Sequence, residues 1–339
     1  MRVLGYSEVV AALDFPSLVE ALRQMFRTGG ETPLRHHHTI PVPGAADATL
    51  LLMPAWQTGR HIGVKAVTVF PGNVESQEPS VMGAYLLLDG KTGKPQALMD
   101  GPALTARRTA AASALAASYL ARPDCERLLM VGTGTLAPHL IEAHAAIRPI
   151  VNVLVWGRNA EKAAKLAHRL NRRGLRVAAT TDLANAVRGA HIVSCATLSE
   201  MPLIQGHWLP LGVHLDLVGG FQPSMREADD DCIRRARVFV DTRAGALSEA
   251  GDIVQPVKAG LLREDDIAGD LFDLARGARG GRRYHDQITL FKSVGTAIED
   301  LAGAKLALDN LRYSSALLCN RVNDGGYVFR LGVHLPHPF

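Results

Sequence analysis

The 339-residue sequence predicts an α/β protein in two parts, a parallel sheet with crossover helices and a smaller α+β part. Three observations predict it. From Cys125 onward, short apolar runs at 128–131, 151–156, 177–180, 192–196, 214–218 and 238–241 alternate with mostly helical stretches. Parallel neighbours cannot be joined by a tight turn, so this alternation calls for crossover helices. From Thr49 to Leu98 the texture changes to β-rich runs at 49–53, 62–70 and 81–88. Turn signals such as Pro71-Gly72-Asn73 and Asp89-Gly90-Lys91-Thr92-Gly93 separate them, as in an antiparallel sheet. Finally, the apolar strand Leu128-Leu129-Met130-Val131 runs into Gly132-Thr133-Gly134-Thr135-Leu136-Ala137 and then into a helical pattern.

That last order is a dinucleotide-binding fingerprint with Ala137 in place of the third glycine, which makes the parallel sheet Rossmann-type. Gly132 permits the tight turn. Gly134 lets backbone amides approach a pyrophosphate, and Ala137 lets the helix pack on its strand. The second strand of such a fold usually ends in an acid that holds the ribose hydroxyls. Here it is followed by Gly157-Arg158-Asn159. An arginine suits a 2′-phosphate, so NADP(H) is the expected cofactor, with NAD(H) as the alternative.

The remaining elements follow from periodicity and breakers. Apolar positions at helical spacing over 8–27 predict one helix, closed by Gly29-Gly30. An alanine-rich helix is expected over 102–121, and a long helix over 290–311 that leads back to the first part. The Gly/Arg-rich stretch 277–283 is expected to be a mobile surface loop, with a nucleotide-covering loop as the alternative. The expected division is residues 1–120 with 305–339 for substrate and dimer contacts, and 121–304 for the dinucleotide.

Composition excludes several classes. Hydrophobic residues make up 47% and charged residues 21%, as in ordinary globular proteins. No run of about 18 apolar residues predicts a membrane helix, and the N-terminus lacks a signal-peptide plan. The net charge of +4 is mild and the arginines are scattered, which argues against nucleic acid. Cys125, Cys195, Cys232 and Cys319 form no CxxC pair, so reduced thiols in a cytoplasmic protein are expected. His36-His37-His38 alternate in direction on a strand and make a poor ligand set, so no metal is expected.

Three basic residues stand out: Arg35 after Pro33-Leu34, Lys65 inside an apolar strand, and Arg108 in Leu104-Thr105-Ala106-Arg107-Arg108-Thr109. A buried lysine needs a partner or an anionic ligand. Together with Gly63-Val64-Lys65, Pro71-Gly72-Asn73, the Gly132-Thr133-Gly134 turn and Phe291-Lys292-Ser293-Val294-Gly295-Thr296-Ala297-Ile298-Glu299-Asp300, these segments resemble the ornithine cyclodeaminase/μ-crystallin family over nearly the whole chain. The resemblance implies that Arg35, Lys65 and Arg108 hold a substrate carboxylate beside the nicotinamide. It also places Ser80, Thr197, Val218, Gly219 and Ser293 at the cofactor, and implies a homodimer built through the N-terminal part.

Two departures from the family pattern matter. Leu136 replaces a glutamine that contacts the cofactor. Phe221 replaces the aspartate on which cyclodeaminase chemistry depends, and a phenyl ring neither takes a proton nor pairs with an ammonium. With His214-Leu215-Asp216-Leu217-Val218-Gly219 and Met225-Arg226-Glu227, the chain resembles the ketimine reductase branch. This implies reduction of Δ1-pyrroline-2-carboxylate to L-proline, and of Δ1-piperideine-2-carboxylate to L-pipecolate. Phe221 would lie against the substrate ring or simply fill core. Lys65, Asp216 and a bound water are the candidate proton donors. Clustered cations would oppose an iminium, so carboxylate binding must outweigh that repulsion. The alternatives are an ornithine cyclodeaminase, an alanine dehydrogenase-like enzyme, and a non-catalytic NADP-binding protein of the crystallin kind.

Overall fold

The computed structural model describes residues 1–74, 78–172 and 174–323, which build two sheets. The first has six strands: β1 (Arg2–Leu4), β2 (His36–Ile40), β3 (Ala48–Gln57), β4 (His61–Val69), β5 (Val81–Asp89) and β6 (Pro95–Asp100). Their order is β1-β6-β5-β4-β3-β2. Every pairing is antiparallel except β1 with β6. Strand alternation splits the side chains. Met53, Lys65, Tyr85 and Met99 pair across the strands on one face and are buried, whereas Pro54, Val64, Leu86 and Leu98 pair on the other and stay half-buried. β1 and the exposed edge strand β2 carry little apolar patterning, and neither was expected from the sequence.

Three helices belong to this first part: α1 (Tyr6–Ala12), α2 (Phe15–Thr28) and α3 (Gly101–Leu120). The single helix expected over 8–27 is therefore two. Asp14 caps α2 by accepting the Ser17 N–H at 2.9 Å, and Pro16 stands in its first turn. Both features favour a fresh start over continuation. The Leu13 carbonyl freed at this break accepts a hydrogen bond from Arg107 Nε at 2.9 Å. Arg107 also stacks over the Phe15 ring at 3.7 Å. α3 is buried along almost its whole length, and its alanines allow close approach to α2, α4 and both sheets.

The second sheet has eight parallel strands: β7 (Arg127–Val131), β8 (Asn152–Trp156), β9 (Arg176–Ala179), β10 (Ile192–Cys195), β11 (His214–Leu217), β12 (Arg237–Val240), β13 (Gly269–Asp270) and β14 (Thr289–Lys292). The order is β13-β12-β14-β11-β10-β7-β8-β9. The connecting helices are α4 (Leu136–Ile147), α5 (Ala160–Leu170), α6 (Leu183–Gly189), α7 (Asp230–Arg235), α8 (Arg243–Glu249), α9 (Gly251–Lys258) and α10 (Leu271–Arg276). The strand order reverses between β7 and β10, and such a switch point opens a crevice at the carboxyl ends of the strands.

The helix expected over 290–311 is corrected at its start. Thr289–Lys292 is a strand between β11 and β12, and α11 (Ala297–Asn323) begins only after a loop. Gly295 in that loop has φ +82°, which an L side chain adopts only with strain. α11 then packs on α2, α3 and β3–β5 of the first sheet.

The 277–283 stretch is tied down. Arg282 donates to the carbonyls of Leu120, Val213 and Gln287 and to Thr289 Oγ1. These anchors lie where β11 and β14 begin, at the end of the sheet opposite the carboxyl-end crevice. Among the described residues, no helix is long and apolar enough to cross a membrane.

Candidate functional site

Gly132, Gly157, Thr197, Gly219, Asp241 and Ser293 each follow the end of a strand of the second sheet, so the crevice gathers them at one edge. Gly132 has φ +124°, and a Cβ there would stand 2.5 Å from the Ala196 carbonyl oxygen. Only glycine fits. Gly134 is exposed, and a Cβ on it would meet nothing within 4 Å, so the space above the turn is open. Thr133 rests its methyl over Gly157. Thr135 occupies the cap position of α4 without a side-chain cap, whereas Asp or Asn side chains cap α2, α3, α5, α6, α7 and α10. Pro138 has no N–H and the Ala137 N–H donates to the Gly134 carbonyl at 3.1 Å, so the Leu136 N–H and those of the turn before it are left for an anion, which the helix dipole favours. Ala137 is fully buried, and Leu136 packs against the core as a glutamine would not. These features fit a dinucleotide pyrophosphate. At the tip of β8, Asn159 caps α5 by accepting the Lys162 N–H at 2.9 Å, and Arg158 is exposed.

The three basic residues meet, and each is already paired. Lys65 is 2% exposed, and its Nζ lies 2.7 Å from Asp300 Oδ2. Arg108 donates Nε to Asp300 Oδ1 at 2.9 Å and Nη1 to Glu299 Oε2 at 2.5 Å. Asp300 thus bridges a strand of the first sheet and the middle of α3. Arg35 donates Nη2 to the Gly295 carbonyl at 2.9 Å and pairs with Glu249 Oε2 at 3.0 Å. A Cβ on Gly295 would collide with the Arg108 guanidinium, so Arg35 and Arg108 approach the same residue. Asp241 holds that loop by accepting the N–H groups of Val294 and Gly295 at 2.8 and 2.7 Å. A cavity of about 290 Å³ opens beside it, lined by Arg35, Thr242, Gly245, Glu249, Gly295 and Thr296.

This environment shifts the titrating groups. Burial pulls the Lys65 ammonium down to about 8, with Asp300 opposing and Arg108 and Arg35 assisting. Burial pushes the Glu299 carboxyl up to about 7 against the pull of Arg108. Burial likewise raises Glu249, against Arg35. Glu249, Glu299 and Asp300 stand against the three cations, and Asp300 is the partner that the place of Lys65 in an apolar strand called for. These carboxylates were missed in the sequence. Glu299 and Asp300 stand in the first turn of a helix, where acids ordinarily serve the helix dipole.

The other expected residues distribute along the crevice. Val218 N–H donates to the Cys195 carbonyl at 2.8 Å and Ser293 N–H to the Leu217 carbonyl at 3.1 Å, which continues the ladders into the loops. Thr197 and Gly219 are joined through the buried Glu227. Ser80 belongs to the first part, just before β5, where its carbonyl accepts the Phe70 N–H at 2.8 Å. Phe221 follows Gly219-Gly220 and is 44% exposed, so it is not core filling. Asp216 is buried and accepts from Ser194 Oγ at 2.7 Å, with His144 Nε2 at 3.2 Å. It joins β10, α4 and β11 and touches none of the basic residues, which removes it as a proton donor. Cys125, Cys195 and Cys232 are buried and free, while the Cys319 side chain lies outside the described ones.

A glycine turn at a switch point, facing a buried cluster of matched charges between two sheets, defines a Rossmann-type nucleotide-binding protein of two parts. The family model for ornithine cyclodeaminase/mu-crystallin matches residues 6–315, and the chain belongs to that family. An uncharacterised protein of Schizosaccharomyces pombe is 46% identical, covering 90% of this chain and 96% of its own. A Delta(1)-pyrroline-2-carboxylate reductase of Paracoccus denitrificans is 40% identical, over 88% of this chain and 94% of its own. Among solved structures, the Thermococcus litoralis Delta(1)-pyrroline-2-carboxylate reductase in complex with NADH and L-proline superposes with a TM-score of 0.86. It is 33% identical, covering 93% of this chain and 98% of that one. An archaeal alanine dehydrogenase dimer with bound NAD gives a TM-score of 0.85 at 27% identity, covering 93% and 97%.

Proposed function

We propose that this protein is an NAD(P)H-dependent ketimine reductase that converts Δ1-pyrroline-2-carboxylate to L-proline and Δ1-piperideine-2-carboxylate to L-pipecolate. The observation that carries the reading is the buried Lys65–Asp300–Arg108 bridge beside the glycine-turn crevice. The reductases from Paracoccus denitrificans and Thermococcus litoralis support it.

A reduced nicotinamide, when bound, supplies the hydride. The chain would hold its dinucleotide through Gly132, Thr133, Gly134, Thr135, Leu136 and Ala137 at the pyrophosphate, and through Ser80, Thr197, Val218, Gly219 and Ser293 further along. Arg158 and Asn159 would meet the adenosine ribose. With no acid at the tip of β8, NADP(H) is the preferred form and NAD(H) the second.

Arg108 and Arg35 receive the substrate carboxylate. Arg108 Nη2 donates to no described residue, so it is available for that purpose. Lys65 carries its proton at Nζ and gives it to the imine nitrogen as the imine carbon gains hydride, which leaves a secondary amine. With a value of about 8, Lys65 is protonated at neutral pH yet close enough to it to release the proton. The paired carboxylates ease the difficulty of bringing an iminium near three cations, because each cation already faces an acid. Phe221, exposed at the rim, offers an apolar surface to the ring.

Residues 1–120 with 305–339 form the substrate and dimer part, and 121–304 the dinucleotide part; α11 runs unbroken through 304–305, and residues 324–339 lie outside the described ones. The protein is a homodimer through the half-buried outer face of the first sheet, and the three buried free thiols among the described residues suit the cytoplasm. The test is NADPH and NADH oxidation across cyclic imino acids and keto acids, set beside ornithine-dependent ammonia release. Turnover of cyclic ketimine carboxylates with NADPH favoured is expected. Ammonia release from ornithine, or cofactor binding without any turnover, would replace this reading.

A further inference from the structure

We propose that Glu227 is a positioning residue that staples the ends of β10 and β11 together and so sets the surface on which the nicotinamide half of the cofactor rests. The inference builds on the nicotinamide-dependent reading above and concerns a residue that touches no reacting atom.

Glu227 is fully buried, and both of its carboxylate oxygens are engaged. Oε1 accepts the Thr197 N–H at 2.7 Å and the Thr197 hydroxyl at 2.8 Å. Oε2 accepts the Gly219 N–H at 2.8 Å. Thr197 lies two residues beyond the end of β10, and Gly219 two beyond β11, on the neighbouring strand. Glu227 is itself held in place. Asp252 Oδ1 accepts its backbone N–H at 2.8 Å and that of Ala228 at 3.0 Å. Lys292, at the end of β14, supplies one positive charge between the two carboxylates, at 3.9 Å from Glu227 and 3.1 Å from Asp252.

Such an arrangement is costly for a fold that only needs a filled core, because apolar residues of similar volume often serve stability as well as a buried ion pair. A carboxylate does what they cannot: it accepts from N–H groups of two different strands at once. The result is an approach so close that a Cβ on Gly219 would overlap the Thr197 backbone. The staple also reaches the glycine turn, since Ala196, the residue before Thr197, is the one against which Gly132 packs. Glu227 therefore fixes the β10–β11 side of the crevice relative to the pyrophosphate turn. The adenosine side, at β7 and β8, has its own supports in Gly157 and Asn159.

The two halves of the ligand separate this role from a general loss of stability. Wild type and Glu227→Gln are titrated with NADPH and with 2′-phospho-ADP-ribose, which lacks the nicotinamide, and in parallel with NADH and ADP-ribose. The glutamine keeps one acceptor oxygen and turns a donor toward an N–H. Losing one charge-assisted bond and creating this clash should raise the dinucleotide Kd by about tenfold or more. The truncated ligand should change less than about twofold. Glu227→Asp, which keeps the charge but shortens the reach, should fall between wild type and Glu227→Gln in that ratio. Equal weakening of both ligands, no weakening of either, or failure of both variants to fold overturns the proposal. A wild type that binds neither ligand overturns the reductase reading along with it. A wild type that binds both, with an unchanged ratio in the variants, overturns the staple alone.

Discussion

Lys65 and Glu299 make the site testable by pH. With the Lys65 ammonium near 8, kcat/KM for imine reduction should fall about tenfold per pH unit above that value, because the proton to be delivered is lost. Lys65→Met keeps the length and removes the proton, and steady-state assays should show a loss of about 10²- to 10⁴-fold. A flat profile from pH 7 to 10 would assign the proton to another group. Glu299 acts on stability instead. Its folded value of about 7 lies above the ordinary 4.5, so the native state binds the proton more tightly. Its contribution is complete below about 4.5 and is lost as pH rises through about 7, by up to about 3 kcal/mol. Glu299→Gln should therefore show a smaller fall in Tm between pH 5 and 8 than the wild type. At this scale the sequence disclosed the cations and hid their partners. A lysine inside an apolar strand is conspicuous, whereas Glu249 at a helix end and Glu299-Asp300 at a helix start look like ordinary surface acids until the fold buries them.

Among the elements, the glycine turn offers a contrast between folding and binding. Gly132→Ala places a Cβ against the Ala196 carbonyl at a φ that alanine resists, so it should lower Tm and abolish dinucleotide binding together. Gly134→Ala meets open space at an ordinary φ. Its Tm should stay within about 2 °C of wild type while the dinucleotide Kd rises about tenfold, since the added methyl stands where the pyrophosphate approaches. Unchanged binding in Gly134→Ala would move the cofactor away from this turn. The strand–turn–helix was legible because each part has its own signal. The start of the last helix was not. Thr289–Lys292 is only four residues long, and a run that short has no period to separate strand from helix. The break at Leu13 was equally hidden, because the apolar spacing of α1 and α2 continues across it and only Asp14 and Pro16 mark the restart.

For the whole molecule, the two faces of the first sheet differ: one is buried, and the other keeps a half-buried apolar row among the described residues. Pro54, Val64, Leu86 and Leu98 form one row across four strands, half-buried and uncharged. Rows of this kind mark association surfaces. Light scattering after size exclusion should give a dimer for the wild type and a monomer for Val64→Arg; a monomeric wild type would remove this interface.

Arg35 ties these scales together. It precedes the first sheet's edge strand, while Glu249 ends a helix of the second, so their pairing is a hook between the halves. On the proposed reading, an organic acid arriving at Arg35 would find an acid that the chain already supplies there. The two would compete for one guanidinium, so the hook would loosen as the ligand arrives and tighten as the product leaves. A site built this way would favour rapid turnover over tight retention.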